Sequence, residues 1–129
     1  MWNAISRRGV AAAILTGLLV TGAYAHHGWS WAEADQIELK GIIREISMAP
    51  PHPTLQVESA TDGLWHVELG NPRQTERSGF VEGAAKPGDE VIVLGNRSLD
   101  PNEKRMKAVR ITVSGKTYDI YPERIRAGG

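Results

Sequence analysis

The chain has 129 residues, with 15 Lys and Arg balanced by 15 Asp and Glu. This balance argues against a nucleic-acid partner, because such a partner requires a clustered basic surface. The sequence contains no cysteine. Disulfides, thiolate chemistry and cysteine-ligated metal sites are therefore excluded.

The first 25 residues have the features of a bacterial export signal. Arg7 and Arg8 supply positive charge, and residues 10–20 form an apolar run. This run is too short for a membrane span, which needs about 20 residues. Ala23-Tyr24-Ala25 then matches the small-x-small pattern of a signal-peptidase site. We expect cleavage after Ala25, a periplasmic mature protein without a membrane span, and either Sec or twin-arginine export.

We divide the chain into four segments. Residues 1–25 are the signal peptide, residues 26–36 an N-terminal arm, residues 37–121 an OB-like β-barrel domain, and residues 122–129 a C-terminal tail. A mature chain of this size forms one domain near the lower limit of what a single hydrophobic core can stabilise.

The first half of the barrel domain is predicted to contain three strands. Residues 37–46 alternate in polarity, with a change of face around Gly41 that is typical of a bulge or glycine kink. Residues 48–53 contain three prolines and are predicted to form a loop. Residues 54–59 and 64–69 alternate on either side of an Asp-Gly turn, which predicts a β-hairpin. The expected inward residues of this hairpin are Leu55, Val57, Trp65, Val67 and Leu69.

The second half is predicted to contain a short helix and two or three strands. Asn71-Pro72 is typical of a helix N-cap followed by proline, and Ser78-Gly79 is expected to end the helix. After the turn at residues 86–89, residues 90–94 predict a strand buried on both faces. Residues 106–113 predict a strand with alternate residues inward, and residues 117–121 a last edge strand ended by Pro122.

Three strands, a short helix and two or three further strands predict a mainly β fold. This order matches a small OB-like barrel of five to six strands. A β-sandwich would require more strands, and another small barrel or roll is the alternative.

Several features together resemble a family of small exported bacterial proteins that carries only a domain-of-unknown-function label. They are the Ala-ended leader, the His26-His27 start, the proline-flanked His52, Asn71-Pro72, and the Lys-Pro-Gly-Asp turn before a strand. The resemblance runs from His26 to about Val113. This chain has Pro51-His52 where members usually have Asn-Pro-His, and Gly28 where they have Ser. The resemblance implies no established activity.

The histidines suggest a metal site. Cleavage after Ala25 would free the α-amine of His26, so that this residue could chelate one ion through its amine and its ring. A second imidazole would complete a histidine brace, an arrangement found in exported copper proteins. Imidazole nitrogen suits copper, zinc and nickel, and copper(II) accepts square-planar nitrogen ligands. We therefore predict copper at His26 and His27.

Two further histidines are weaker candidates as ligands. His52 lies between two prolines, whose restricted φ angles reduce the freedom lost on binding. His66 is expected on the strand face opposite Trp65, and either histidine could instead be an ordinary loop or strand residue. Three functions stay open: a periplasmic metal-binding protein or metalloenzyme accessory, a non-catalytic OB-like interaction module, and a copper oxidase. We expect no enzyme, because no substrate surface can be named and the domain is small.

Overall fold

The computed structural model describes residues 28–126. The predicted signal peptide, its cleavage after Ala25, and His26 and His27 lie outside the described residues. The chain divides into two compact units, with the boundary between Trp31 and Ala32. The described part of the first unit, residues 28–31, is a turn. The second unit contains the barrel.

The second unit contains six strands and one short α-helix. The strands are β1 (Ile37–Ser47), β2 (Thr54–Ser59), β3 (Gly63–Glu68), β4 (Glu90–Arg97), β5 (Arg105–Val113) and β6 (Lys116–Asp119). Helix α1 (Pro72–Arg77) lies between β3 and β4, and a 3₁₀ turn (Pro122–Arg124) follows β6. Neither helical element of the described residues is long and apolar enough to cross a membrane.

The strand order closes a five-stranded barrel. The strands run β3-β2-β1-β4-β5-β6, and an additional pairing joins β3 to β5. The closing pair is parallel and joins residues 66–68 to residues 105–107, whereas all other neighbours are antiparallel. This topology confirms the predicted OB-like barrel with one short helix, and β6 is an extra strand on the outside of β5.

Strand β1 serves both halves of the barrel because it bends. Its first half pairs with β4, and its second half pairs with β2. The register with β2 shifts between Ile43 and Glu45, so the bulge lies slightly after Gly41. Gly41 is needed for a different reason, namely close approach of β2. A Cβ atom at this position would lie 2.3 Å from the carbonyl oxygen of Glu58.

The barrel interior is filled by the alternating apolar residues that the sequence predicts to point inward. Leu55, Val57, Trp65, Val67 and Leu69 are all buried. The inward residues of β4 and β5 complete the same core: Val91, Val93, Met106, Val109, Ile111 and Val113. The prediction of the inward faces of β2, β3 and β5 is therefore confirmed.

Helix α1 begins and ends where its sequence predicts. The side chain of Asn71 accepts a hydrogen bond from the Gln74 amide at 2.8 Å, and Pro72 occupies the first turn. The amide of Gly79 still reaches the Glu76 carbonyl at 2.9 Å, but its φ of 96° turns the chain out of the helix. The predicted cap and the predicted end of the helix are therefore confirmed.

Strand β4 differs from its prediction. It runs to Arg97 rather than Leu94, and it is buried on both faces only in its second half, because Ile92 is 37% exposed. Gly95 allows the strand to continue, since a Cβ atom there would lie 2.2 Å from the carbonyl oxygen of Lys107. The sequence Gly95-Asn96 resembles a turn, but here it permits unusually close contact between β4 and β5.

The last strand is shorter than predicted. It ends at Asp119, because the amides of Ile120 and Tyr121 both donate to the carbonyl of Val109, at 2.9 and 3.0 Å. Two successive donors on one acceptor interrupt the regular alternation of a β-ladder. The chain therefore leaves the sheet two residues before the predicted end.

The close approach at Gly41 makes a first prediction. The substitution Gly41→Ala forces β1 and β2 apart, and we expect the free energy of unfolding to fall by about 1–3 kcal/mol, the usual cost of overpacking. Urea denaturation followed by circular dichroism measures this loss. Gly115→Asn is the matched control, because Gly115 has open space around it and asparagine tolerates its positive φ. Equal midpoints for the Gly41 variant and the wild type would contradict the prediction.

Candidate functional site

His52 lies in the loop between β1 and β2 and has an unsatisfied ring nitrogen. The whole residue is partly exposed, but its Nδ1 atom is buried and has no hydrogen-bond partner among the described residues. The loop is fixed immediately after it, because the carbonyl of Pro53, itself buried, accepts a hydrogen bond from the Leu69 amide at 2.9 Å. Buried polar atoms are usually paired, so an unpaired imidazole nitrogen on a fixed loop is a candidate ligand.

His66 lies at the centre of β3 and is engaged differently. Its Nδ1 atom is 2.8 Å from the Nε2 atom of Gln56, its register partner on β2. An amide NH₂ group only donates, so Nδ1 accepts this hydrogen bond. The backbone amide of His66 donates to the carbonyl of Lys104 at 2.9 Å. Both side chain and backbone therefore contribute to the β2–β3–β5 junction.

The structure does not gather these histidines into a complete site. His66 is paired with Gln56 on β2, whereas His52 lies in the loop before that strand. Within residues 28–126, no group of three or more His, Asp or Glu side chains is placed to hold a metal ion. Each of the two described histidines therefore stands as a single imidazole and not as part of a ligand cluster.

The N-terminal arm is fastened to β4 from Ala32 onward. Ala32 forms a β-bridge with Ser98, and the Glu33 amide donates to the Arg97 carbonyl at 2.8 Å. The side-chain amide of Asn96 points its Nδ2 atom at three successive arm carbonyls, those of residues 33, 34 and 35, at 2.9, 3.2 and 3.4 Å. Its Oδ1 atom is buried and has no hydrogen-bond partner among the described residues.

Asn96 belongs to a row of buried polar residues that crosses the barrel closure. Register pairs join Asn96 on β4 to Lys107 on β5, and Lys107 to Glu68 on β3. Their exposed fractions are 7%, 2% and 9% respectively. Arg105 donates from Nε to a Glu68 carboxylate oxygen at 2.7 Å, and the Lys107 ammonium lies 5.8 Å from the centre of the Tyr121 ring. We call Asn96, Lys107 and Glu68 the polar layer.

Burial shifts the ionisation of two groups at the polar layer. Removal from water lowers the pKa of Lys107 below 10.5, and the negative charge of Glu68 opposes this effect only in part. Removal from water likewise raises the pKa of the Tyr121 phenol above 10.0. Both shifts have the same cause, since desolvation disfavours the charged form of each group.

Sequence reasoning missed the polar layer. By alternation with Val109, Ile111 and Val113, Lys107 falls on the predicted inward face of β5, where a charged side chain is unusual. Lys107 is buried because the chain segments before β1 and after β6, which are distant from each other in sequence, pack on this side of the barrel. Arg105 and Lys107 continue this face of β5, so the alternation of the strand was the available signal for the burial of Lys107.

The outer face of β1 carries a shallow groove of about 510 Å³. Ile42 and Ile92 form apolar parts of its lining, and the exposed ion pair between Arg44 and Glu58, 2.7 Å long, stands beside them. The groove therefore combines aliphatic side chains with charges of both signs.

The buried ammonium makes a second prediction. In Lys107→Met, Glu68 keeps Arg105 as its partner, so no carboxylate is left unpaired. We expect the free energy of unfolding at neutral pH to hold or to rise by about 1 kcal/mol, as for other buried charges replaced by apolar groups. Chemical denaturation of both proteins measures this change.

The pH dependence of the difference in stability between the wild type and Lys107→Met gives a further test, through the sign of its slope. As pH approaches 10.5, Lys107 is protonated to a larger fraction in the unfolded chain than in the folded chain, because its pKa is lowered on folding. The stability of the wild type relative to K107M therefore rises as pH approaches 10.5. Tyr121 is common to both proteins and cancels in the difference. A difference that is constant from pH 7 to 10.5 would contradict the assigned environment.

The chain is similar to two solved structures and matches the model of one protein family. No curated protein matches the sequence. The chain is similar to a part of TiaS in its complex with a transfer RNA and ATP, with 16% identity, a TM-score of 0.48, and coverage of 60% of this chain and 18% of that one. It is also similar to the mitochondrial single-stranded DNA-binding protein Rim1 of S. cerevisiae, with 12% identity, a TM-score of 0.49, and coverage of 64% and 95%.

The family comparison concerns more than half of the chain. The model of a family of unknown function, DUF6152, matches residues 15–107. This range includes the barrel strands up to the start of β5, His52, His66 and the Asn71-Pro72 cap. The expectation that this chain comes from an uncharacterised family is confirmed: the protein belongs to the DUF6152 family.

Proposed function

We propose that the processed protein is a periplasmic copper-binding protein, acting in metal handling or as accessory to a metalloenzyme, and that His26 is its primary ligand. The free α-amine and the ring of His26 bind one ion together, with His27 beside them. Such a set of nitrogen donors suits copper(II). Binding requires the amine to lose its proton, which copper achieves near neutral pH because the ordinary amine pKa is about 7.7–8.0.

The observation that supports this proposal is the unsatisfied Nδ1 of His52. An imidazole with a buried, unpaired nitrogen on a loop held by Pro53 has little conformational freedom to lose when it binds a metal. We therefore propose His52 as the third source of ligand nitrogen. His66 is the weaker candidate, because its Nδ1 already accepts a hydrogen bond from Gln56.

A second candidate function is a non-catalytic interaction module. The groove on β1, with exposed Ile92 beside the Arg44–Glu58 pair, supports it. In that case the barrel would bind a peptide or protein partner without any metal. The two functions differ in their dependence on a free amine at His26, and the following experiment separates them.

The first test changes only the N-terminus. Copper(II) is titrated into protein that begins at His26 and into protein with three additional alanines before His26, so that no histidine lies within the first three residues. A competing chelator sets the affinity scale. We expect the extension to weaken binding by at least about tenfold, since it removes the amine–ring chelate. Equal affinity, or no binding by either form, would refute copper binding through His26 and leave the interaction module.

The second test compares the two described histidines in the processed protein. We expect His52→Ala to weaken copper(II) binding by about tenfold or more and to reduce the nitrogen hyperfine coupling in the electron paramagnetic resonance spectrum. His66→Ala is the matched control, because it removes an imidazole of similar exposure that is tied to Gln56. Equal effects of the two substitutions would remove His52 from the proposed site while leaving the His26 chelate intact.

A further inference from the structure

Two segments far apart in sequence meet on the outside of the barrel. The first is residues 32–36, before β1, and the second is residues 120–126, after β6. We call them together the terminal clasp. Gln36 joins them directly: its Nε2 atom donates to the Arg124 carbonyl at 2.6 Å, and its Oε1 atom accepts from the Arg126 amide at 3.4 Å.

Each segment is also attached to the barrel by its own hydrogen bonds. The arm is held at β4 by the Ala32–Ser98 bridge and the Asn96 amide. The second segment is held at β5, where the amides of Ile120 and Tyr121 both donate to Val109. The clasp thus spans the β4–β5 pair, and its two segments are anchored to neighbouring strands.

The terminal clasp lies at the polar layer. Tyr121, from the second segment, presents its ring to the Lys107 ammonium at 5.8 Å. Asn96, which holds the first segment, is the register partner of Lys107 on β4. Lys107 therefore lies beside Tyr121 of the second segment and is paired in register with the residue that holds the first, and its exposed fraction is only 2%.

The terminal clasp buries only two apolar residues, Ile120 and Tyr121, and its other residues are exposed or half-buried. Both hydrogen bonds of Gln36 are exposed to solvent, and residues 122–124 are exposed. The Oδ1 atom of Asn96 is buried without a partner among the described residues, which penalises the closed state. Segments with few buried apolar contacts and exposed hydrogen bonds open locally at a lower free energy than global unfolding requires.

We propose that the terminal clasp opens as one unit while the barrel stays folded, and that its opening exposes the Lys107 amine. Gln36 couples the two segments, so release of one releases the other. The clasp is thus a conformational switch that controls access to a buried amine, independent of any metal at His26.

Residue-resolved acylation tests the proposal. The folded protein is treated with an N-hydroxysuccinimide ester of acetic acid, and mass spectrometry follows each lysine. We expect Lys107 to react at least about tenfold more slowly than the exposed Lys116 in the wild type. In Gln36→Leu, the Lys107 rate rises about fivefold, the effect of one lost hydrogen bond, and the Lys116 rate does not change.

The control variant is Gln56→Leu, which removes a glutamine hydrogen bond on the β2–β3 hairpin, away from the clasp. We expect no change in Lys107 acylation there. An unchanged Lys107 rate in Gln36→Leu would overturn the proposal. So would a Lys107 rate that increases with urea in parallel with global unfolding, because exposure would then require loss of the barrel.

Hydrogen exchange of the wild-type protein gives a test that does not depend on a variant folding. The amides of Glu33, Tyr121 and Arg124 each donate within the clasp or from the clasp to the barrel. We expect these three amides to share one opening free energy, lower than that of the amides in β4 and β5. Separate opening free energies for Glu33 and for Tyr121 would show two independent segments and refute the clasp.

Discussion

Closure of the barrel depends on a short parallel pair between β3 and β5. Only residues 66–68 and 105–107 take part, and the outward side of this pair carries charges rather than apolar groups. Glu68 is neutralised by Arg105, and Lys107 lies beneath Tyr121. A buried ion arrangement of this kind contributes little net stability. It joins the two closing strands by a charged hydrogen bond from Arg105 on β5 to Glu68 on β3.

Much of the fold could be predicted from local sequence, because the barrel interior imposes a period of two on its strands. Leu55, Val57 and Ile111 alternate with polar residues, and the Asn71 cap is a local signal. The errors arise where long-range contacts override local pattern. Gly95 resembles a turn residue, but it permits close approach of Lys107, whose burial depends on chain segments distant in sequence.

The candidate site was predictable only in its residue types. The sequence separates His52, between two prolines, from His66, within a predicted strand, but it does not show which ring nitrogens are paired. The structure separates them: one ring nitrogen of His66 is occupied by Gln56, whereas Nδ1 of His52 is buried and unpaired among the described residues. Hydrogen-bond pairing between strands depends on register, which short-range pattern does not specify uniquely. The proposed copper chemistry therefore rests on a difference between histidines that the fold creates.

The contact between Gln36 and Arg124 has a consequence for the connectivity of the chain. It places the residue before β1 within hydrogen-bond distance of the 3₁₀ turn after β6. Proteins whose ends lie close together tolerate circular permutation when new ends are opened in exposed loops. A short linker between these ends, with new termini in the exposed stretch around Gly83, would preserve every strand pairing of the barrel. The order of strands along the polypeptide is thus separable from their arrangement in space.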